Sequence, residues 1–113
     1  MDALDLTAVV EELIVAARAS SAQRSGRTIH GGRDHHLRQT VVALAAGGEL
    51  AEHESPSEAT VQVLAGRVTI TAGESTWEGR AGDYLIIPPE RHRLDALEDS
   101  AILLTVTVAT RAT

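Results

Sequence analysis

A mainly β fold, a sandwich or barrel preceded by one helix, follows from three observations. Leu6, Val9, Val10, Leu13, Ile14 and Ala17 recur at three- and four-residue steps, the spacing that lines one face of a helix. After Gly32 the pattern changes to short runs rich in Val, Ile, Leu and Thr, separated by glycine-bearing turns. No second helical stretch interrupts those runs, so they close on one another without crossover helices.

The elements follow in order. Asp5 stands where a helix N-cap belongs, and the polar, small stretch Ser20 to Gly26 ends the helix as a connecting loop. The division expected is one domain: a helical segment over 1–20, a connecting segment over 21–36, a barrel over 37–108 and a tail over 109–113. Within the connecting segment, Arg27 to His30 could pair with a sheet edge. Strands are expected at Leu37 to Leu44, Thr60 to Leu64, Arg67 to Thr71, Tyr84 to Ile87, Arg91 to Ala96 and Ala101 to Val108. Ala65-Gly66, Ala72 to Ser75 and Gly82-Asp83 supply the turns. The run Ala101 to Val108 does not alternate cleanly, which implies burial on both faces, one toward the lumen and one toward a subunit interface.

Composition narrows the function classes. The 113 residues suit one core, and the 43% hydrophobic content is ordinary for a folded protein. No apolar run approaches a membrane span and the N-terminus Met-Asp-Ala-Leu-Asp is acidic, so the expected setting is cytoplasmic, with no membrane partner. The absence of cysteine removes disulfides, thiolate metal sites and a cysteine nucleophile. A formal charge of −6, with the ten basic residues scattered arginines, argues against nucleic acid as a partner. Trp77 and Tyr84 are the only aromatic residues of the Phe, Trp, Tyr class, leaving little for stacking on sugars or bases.

Two spaced signatures carry the chemistry: Gly47-x5-His53-x-Ser55-x3-Ala59-x6-Gly66 and Gly82-x5-Pro88-x3-His92. The first ends on the strand and turn Val61 to Gly66. The second opens from Gly79-Arg80-Ala81-Gly82-Asp83 into Tyr84 to Ile87 and closes on Pro88-Pro89. Over about residues 37–108 the chain resembles the cupin family. That resemblance implies a double-stranded β-helix, or jelly-roll barrel, behind the N-terminal helix, and a homodimer. It also implies a lumen site at which three histidines and a glutamate hold one divalent metal.

Two of those four positions are kept, His53 and His92. Ser55 stands at the second histidine position and Ala59 at the glutamate position, Glu90 replaces the usual glycine, and His92 comes one residue early. The loss of two ligands implies weak or no metal binding; an ion, if held, would be a divalent iron, manganese, nickel or zinc on His53 and His92. Glu58 is next to the vacated carboxylate position, but alternation turns it outward if Ala59 faces in. His30, His35 and His36 lie on segments that could reach the barrel mouth and supply a third ligand.

In the family register His53, Ser55, Ala59, Val61, Val63 and His92 face one cavity, an apolar hole with a few convergent polar groups. Two neighbouring imidazoles there could hold an anionic or carbonyl-bearing molecule through donated hydrogen bonds. A hydrolase triad of Ser55, a histidine and Asp95 lacks a nucleophile elbow. Glu52, Glu54 and Glu58 fit an outer strand face better than paired-carboxylate chemistry. Three readings follow: a small-molecule binding module or sensor, a metal-dependent oxygenase or isomerase with a nonstandard third ligand, and a structural dimerisation domain with a filled barrel.

Overall fold

The computed structural model describes residues 1–54 and 58–108. It contains one helix, α1 (Leu6–Ala19), and nine strands among the described residues: β1 (Arg24–His30), β2 (Leu37–Leu44), β3 (Glu49–His53), β4 (Glu58–Ala65), β5 (Arg67–Ala72), β6 (Ser75–Arg80), β7 (Tyr84–Ile86), β8 (His92–Ala96) and β9 (Ser100–Thr107). They form two antiparallel sheets, one in the order β1-β2-β9-β4-β7 and one in the order β3-β8-β5-β6. Among the described residues no helix is long and apolar enough to cross a membrane.

Period-two alternation sorts the strand residues between two cores. Leu44, Ala59, Val61, Val63 and Ile102 from the five-stranded sheet meet Val68, Ile70, Leu94 and Ala96 from the four-stranded sheet, and this cluster fills the space between the sheets. Val41, Ala43 and Ala101 turn to the opposite side of the five-stranded sheet, where Val9, Val10, Leu13 and Ala17 of α1 cover them. Strand β9 serves both cores: Ile102 and Leu104 point into the lumen while Ala101 and Leu103 lie under the helix. The irregular hydrophobic run therefore has burial on both faces, and α1 of the same chain supplies the outer cover of its first half.

The helix begins as its sequence dictates. The Asp5 carboxylate accepts from the Thr7 and Ala8 backbone N–H groups, satisfying two donors that have no partner within the helix. Its C-terminal turn is tied down by Arg18, which pairs with Asp99; Asp99 also accepts from the Ala46 N–H at 2.9 Å. That carboxyl is held below the usual carboxylate range, first by the Ala46 N–H and then by the Arg18 guanidinium.

Three strands differ from the sequence expectation. The connecting segment 21–36 contains β1, which adds an edge to the five-stranded sheet by pairing with β2, so the sheet starts at Arg24 and the loop is confined to the residues just after α1. The edge pairing expected of Arg27 to His30 is present, but the strand begins at Arg24, in residues whose composition, Arg-Ser-Gly, carries no strand signal. It is held instead by the ladder to β2, by the Ser25 hydroxyl donating to the Leu13 carbonyl at 2.6 Å, and by an Arg27–Glu12 ion pair at 2.9 Å. Strand β3 is mostly exposed and rich in glutamate; it is stapled to β8 by Arg93 bonded to Glu49 at 2.6 Å and Arg91 to Glu52 at 3.0 Å. Strand β6 is the return arm of a hairpin whose two loop residues are Gly73 and Glu74, with Gly73 in the left-handed region at φ +59°. The remaining strands agree with expectation to within a residue or two. The expected tail, 109–113, lies outside the described residues.

Candidate functional site

Strands β3 and β8 pair so that His53 and His92 are direct neighbours in register, past an irregularity between Leu50 and His53. Their rings meet edge to face with centroids 4.5 Å apart and an interplanar angle of 64°. The two positions differ in access. His92 is buried, at 4% exposure, whereas His53 is exposed at the barrel's rim. Together with Leu50, Val61, Ile70, Ile87, Leu94, Ile102 and Leu104 they line a cavity open at that end.

The cavity is small. About 20 Å³ is open to the centre of a water-sized sphere, enough for roughly one water. Branched aliphatic side chains from both sheets occupy the rest of the lumen, so the free space is a pit beneath the histidine pair.

The hydrogen bonds of the pair fix its chemistry. The His53 Nδ1–H donates to the Ala51 carbonyl at 2.8 Å, and the His92 Nδ1–H donates to the Glu90 carbonyl at 3.0 Å. A carbonyl oxygen can only accept, so each neutral ring carries its proton on Nδ1 and presents Nε2 as a lone pair. Among the described residues no hydrogen bond reaches either Nε2. In the neutral form the site thus offers two acceptor nitrogens at the edge of an apolar pit.

The other sequence candidates fall as follows. Val61 lines the cavity, while Ala59 and Val63 are buried in the surrounding core without bordering the open space. Ser55 lies outside the described residues. Glu58 is exposed, as alternation from the buried Ala59 requires. Asp95 is on the outer face of β8, gripped by Arg93, whose pKa is raised chiefly by the Asp95 hydrogen bond and charge; it faces away from both histidines and completes no triad with them. Glu52 and Glu54 are tied to Arg91 on the outside of the rim. His30 and His35 stack edge to face on each other, centroids 4.8 Å apart. Leu50, Ile70, Ile87, Leu94, Ile102 and Leu104 were not singled out from the sequence; for Ile70, Leu94, Ile102 and Leu104 the signal was strand alternation around Val68, Ala96 and Val106.

A family model described as "Cupin domain" matches residues 40–108. The chain is a cupin. The fold agrees: a conserved protein of unknown function from Streptococcus pyogenes superposes with a TM-score of 0.74 at 28% identity, covering 97% of this chain and 90% of that one. A cupin superfamily protein from Desulfitobacterium hafniense superposes at 0.71 with 16% identity, over 82% of this chain and 87% of the other. A cupin-2 domain containing protein from Shewanella frigidimarina reaches 0.63 at 21% identity, over 74% and 80%. The last two likenesses speak to fold alone. Among proteins of curated function, none matches the chain.

Cupins with a full motif hold a divalent metal on three imidazoles and a carboxylate. Two imidazoles are present, the carboxylate position is the methyl of Ala59, and among the described residues no group of three His, Asp or Glu side chains converges. The lone pairs on Nε2 and the backbone-bonded Nδ1–H groups are what metal-ligating histidines require. Two donors are half of a tetrahedral site, however, and the described residues do not fit a tightly held ion.

Proposed function

We propose that this cupin is a binding module whose barrel mouth takes a small organic molecule at His53 and His92, with weak or no metal binding. One observation carries the reading: a pair of unengaged imidazole nitrogens at the open end of an otherwise apolar lumen, the pattern of a small-molecule site. With Ala59 at the family's carboxylate position, no carboxylate lines the cavity among the described residues. The pit limits the ligand to a few non-hydrogen atoms inside the barrel. The setting is cytoplasmic and the working form a homodimer; the part of the outer sheet face that α1 leaves uncovered carries Tyr84 and Ile86, 59% and 71% exposed.

A second reading is favoured by the fill of the lumen. With only about 20 Å³ free, the barrel could be a structural scaffold that binds nothing. Metal-dependent catalysis is the least supported of the three, because among the described residues only two donors meet at the site.

Elemental analysis of protein purified without chelator, beside a His53→Ala/His92→Ala blank, together with a thermal-shift screen of small organic molecules, separates the three. The binding module gives substoichiometric metal and a rise in Tm with some small molecules that the double variant loses. Near-unit iron, manganese, nickel or zinc that vanishes in the blank overturns the reading in favour of an enzyme. Neither metal nor any ligand-dependent Tm overturns it in favour of a scaffold.

A further inference from the structure

Trp77 is the one tryptophan of the chain, and its ring rests on a glycine of its own strand. Trp77 and Gly79 are two residues apart on β6 and so share its inward face. A Cβ at Gly79 would fall 2.2 Å from the indole Cη2 and 2.7 Å from Cζ2 and Cζ3, so only a glycine can seat the ring there. With the ring laid toward Gly79, the space on its other side, toward the β5–β6 loop, stays open. Ile70, Ala72, Ser75, Thr76, Leu85 and Pro88 enclose that space together with Trp77. About 140 Å³ is free there, on the measure that gives the histidine pit about 20 Å³, and the two cavities share only Ile70.

We propose that this side cleft is a second ligand site, for an uncharged molecule with one aromatic ring and one hydroxyl, phenol being the simplest. The proposal stands apart from the reading of the His53–His92 mouth. Size sets the single ring, because an apolar cavity of roughly 150 Å³ takes one benzene. The indole sets the aromatic character, since a ring offset against it gains more than its buried area alone. The hydroxyl follows from Ser75, which is exposed, lies on the same strand face as Trp77 and has a hydroxyl with no partner among the described residues. The ligand's O–H can bond there, so its one polar group is not left unpaired. Charge is excluded by the lining. No charged side chain borders the cleft, and those by the adjoining loop are negative: Glu74 within it, and Glu90, whose Oε2 would lie 3.9 Å from a Cβ at Gly73. A carboxylate would give up water and meet no cation. The chain's own ring does not fill the space, being seated on Gly79. For a ligand of seven non-hydrogen atoms, a Kd on the order of 1 mM is expected.

The test uses the full chain labelled with ¹⁵N, whose single indole N–H gives one proton–nitrogen cross-peak that reports on the cleft. Phenol, cyclohexanol and benzoate are titrated at neutral pH, where phenol keeps its proton and benzoate is ionised. Cyclohexanol has the hydroxyl without the aromatic ring, and benzoate has the ring with a charge. The expected result is a saturable shift of the Trp77 cross-peak with phenol, affinity for cyclohexanol weaker by about 2- to 10-fold, and no response to benzoate. Ser75→Ala should weaken phenol binding by about 2- to 10-fold, the worth of one neutral hydrogen bond. Ser75→Phe, which sends a ring into the cleft from an exposed position, should abolish it. Gly79→Ala should move the cross-peak with no ligand present; an unmoved peak overturns the seating of the ring. No saturable shift with phenol, shifts that centre on His53 and His92, or binding that survives Ser75→Phe overturns the site. Equal affinity for cyclohexanol, or saturable binding of benzoate, overturns the ligand class. A Trp77 shift that follows protein concentration alone gives the cleft to a second copy of the chain and overturns the proposal as well.

Discussion

Truncating Ile102 to alanine asks whether the lumen is a dry, packed core with a pit at one end. Ile102 is 1% exposed, borders the cavity and sits on β9 between Val42 of β2 and Val63 of β4. Alanine removes three carbons, about 2.4 kcal/mol of transfer free energy at about 0.8 kcal/mol per group. The rigid sheets on either side cannot collapse into the gap, so roughly 60–80 Å³ of new void adds about 1.5–2 kcal/mol more. The total, about 4 kcal/mol, lies within the known range for such truncations. Urea denaturation followed by circular dichroism measures it, with an unchanged slope as the check that the denatured state is unaltered. The same void extends the pit, so the folded variant should take up small apolar molecules that the parent excludes. A loss under about 1 kcal/mol would refute the packing argument, because a lumen that tolerates the deletion is already loose or wet.

Two further predictions concern the joints of the fold. A Cβ at Gly66 would lie 2.3 Å from the Asp99 carbonyl oxygen and 2.3 Å from Ser100 Oγ, at a φ of +79°; because Ser100 Oγ is bonded to the Arg67 N–H and carbonyl and to the Glu98 carbonyl, it cannot move aside. Gly66→Ala should cost at least about 3 kcal/mol by the same denaturation assay, and a cost within 1 kcal/mol would mean the β4–β5 turn is not built this way. Asp99 has a depressed pKa in the folded state, so its contribution is present above the unfolded value near ~4 and is lost as pH falls through the lower folded value. Asp99→Asn should lower Tm at neutral pH, and the gap to the parent should close as pH drops below about 4; parallel Tm curves across that range would show that the carboxylate is not holding α1 and the Ala46 loop together.

What the sequence disclosed depended on what kind of force holds each part. The helix was readable because its cap and its apolar stripe are local, and β2, β4, β5, β8 and β9 were readable because their inward residues are Val, Ile, Leu and Ala at alternate positions. Strand β3 and the start of β1 were not, since both are edge strands whose outward residues meet water and whose cohesion comes from ladders and from Arg27, Arg91 and Arg93 reaching other elements. His53 and His92 were found only through spacing that resembled a family; nothing local links residues 39 positions apart. Their proton positions were beyond the sequence altogether, because these depend on where the Ala51 and Glu90 carbonyls turn.

Strand β9 lies at the centre of the five-stranded sheet, and it is the last strand of the described chain to be synthesised. Until residues 100–107 have left the ribosome, β2 and β4 have no common partner, and both cores lack the residues that β9 supplies. The nascent chain therefore carries two unpaired strand edges and two incomplete cores at once, a state prone to edge-to-edge association. Closure comes in a single late event, long in sequence separation and slow for that reason. The five-stranded sheet is the part of this fold that is completed last.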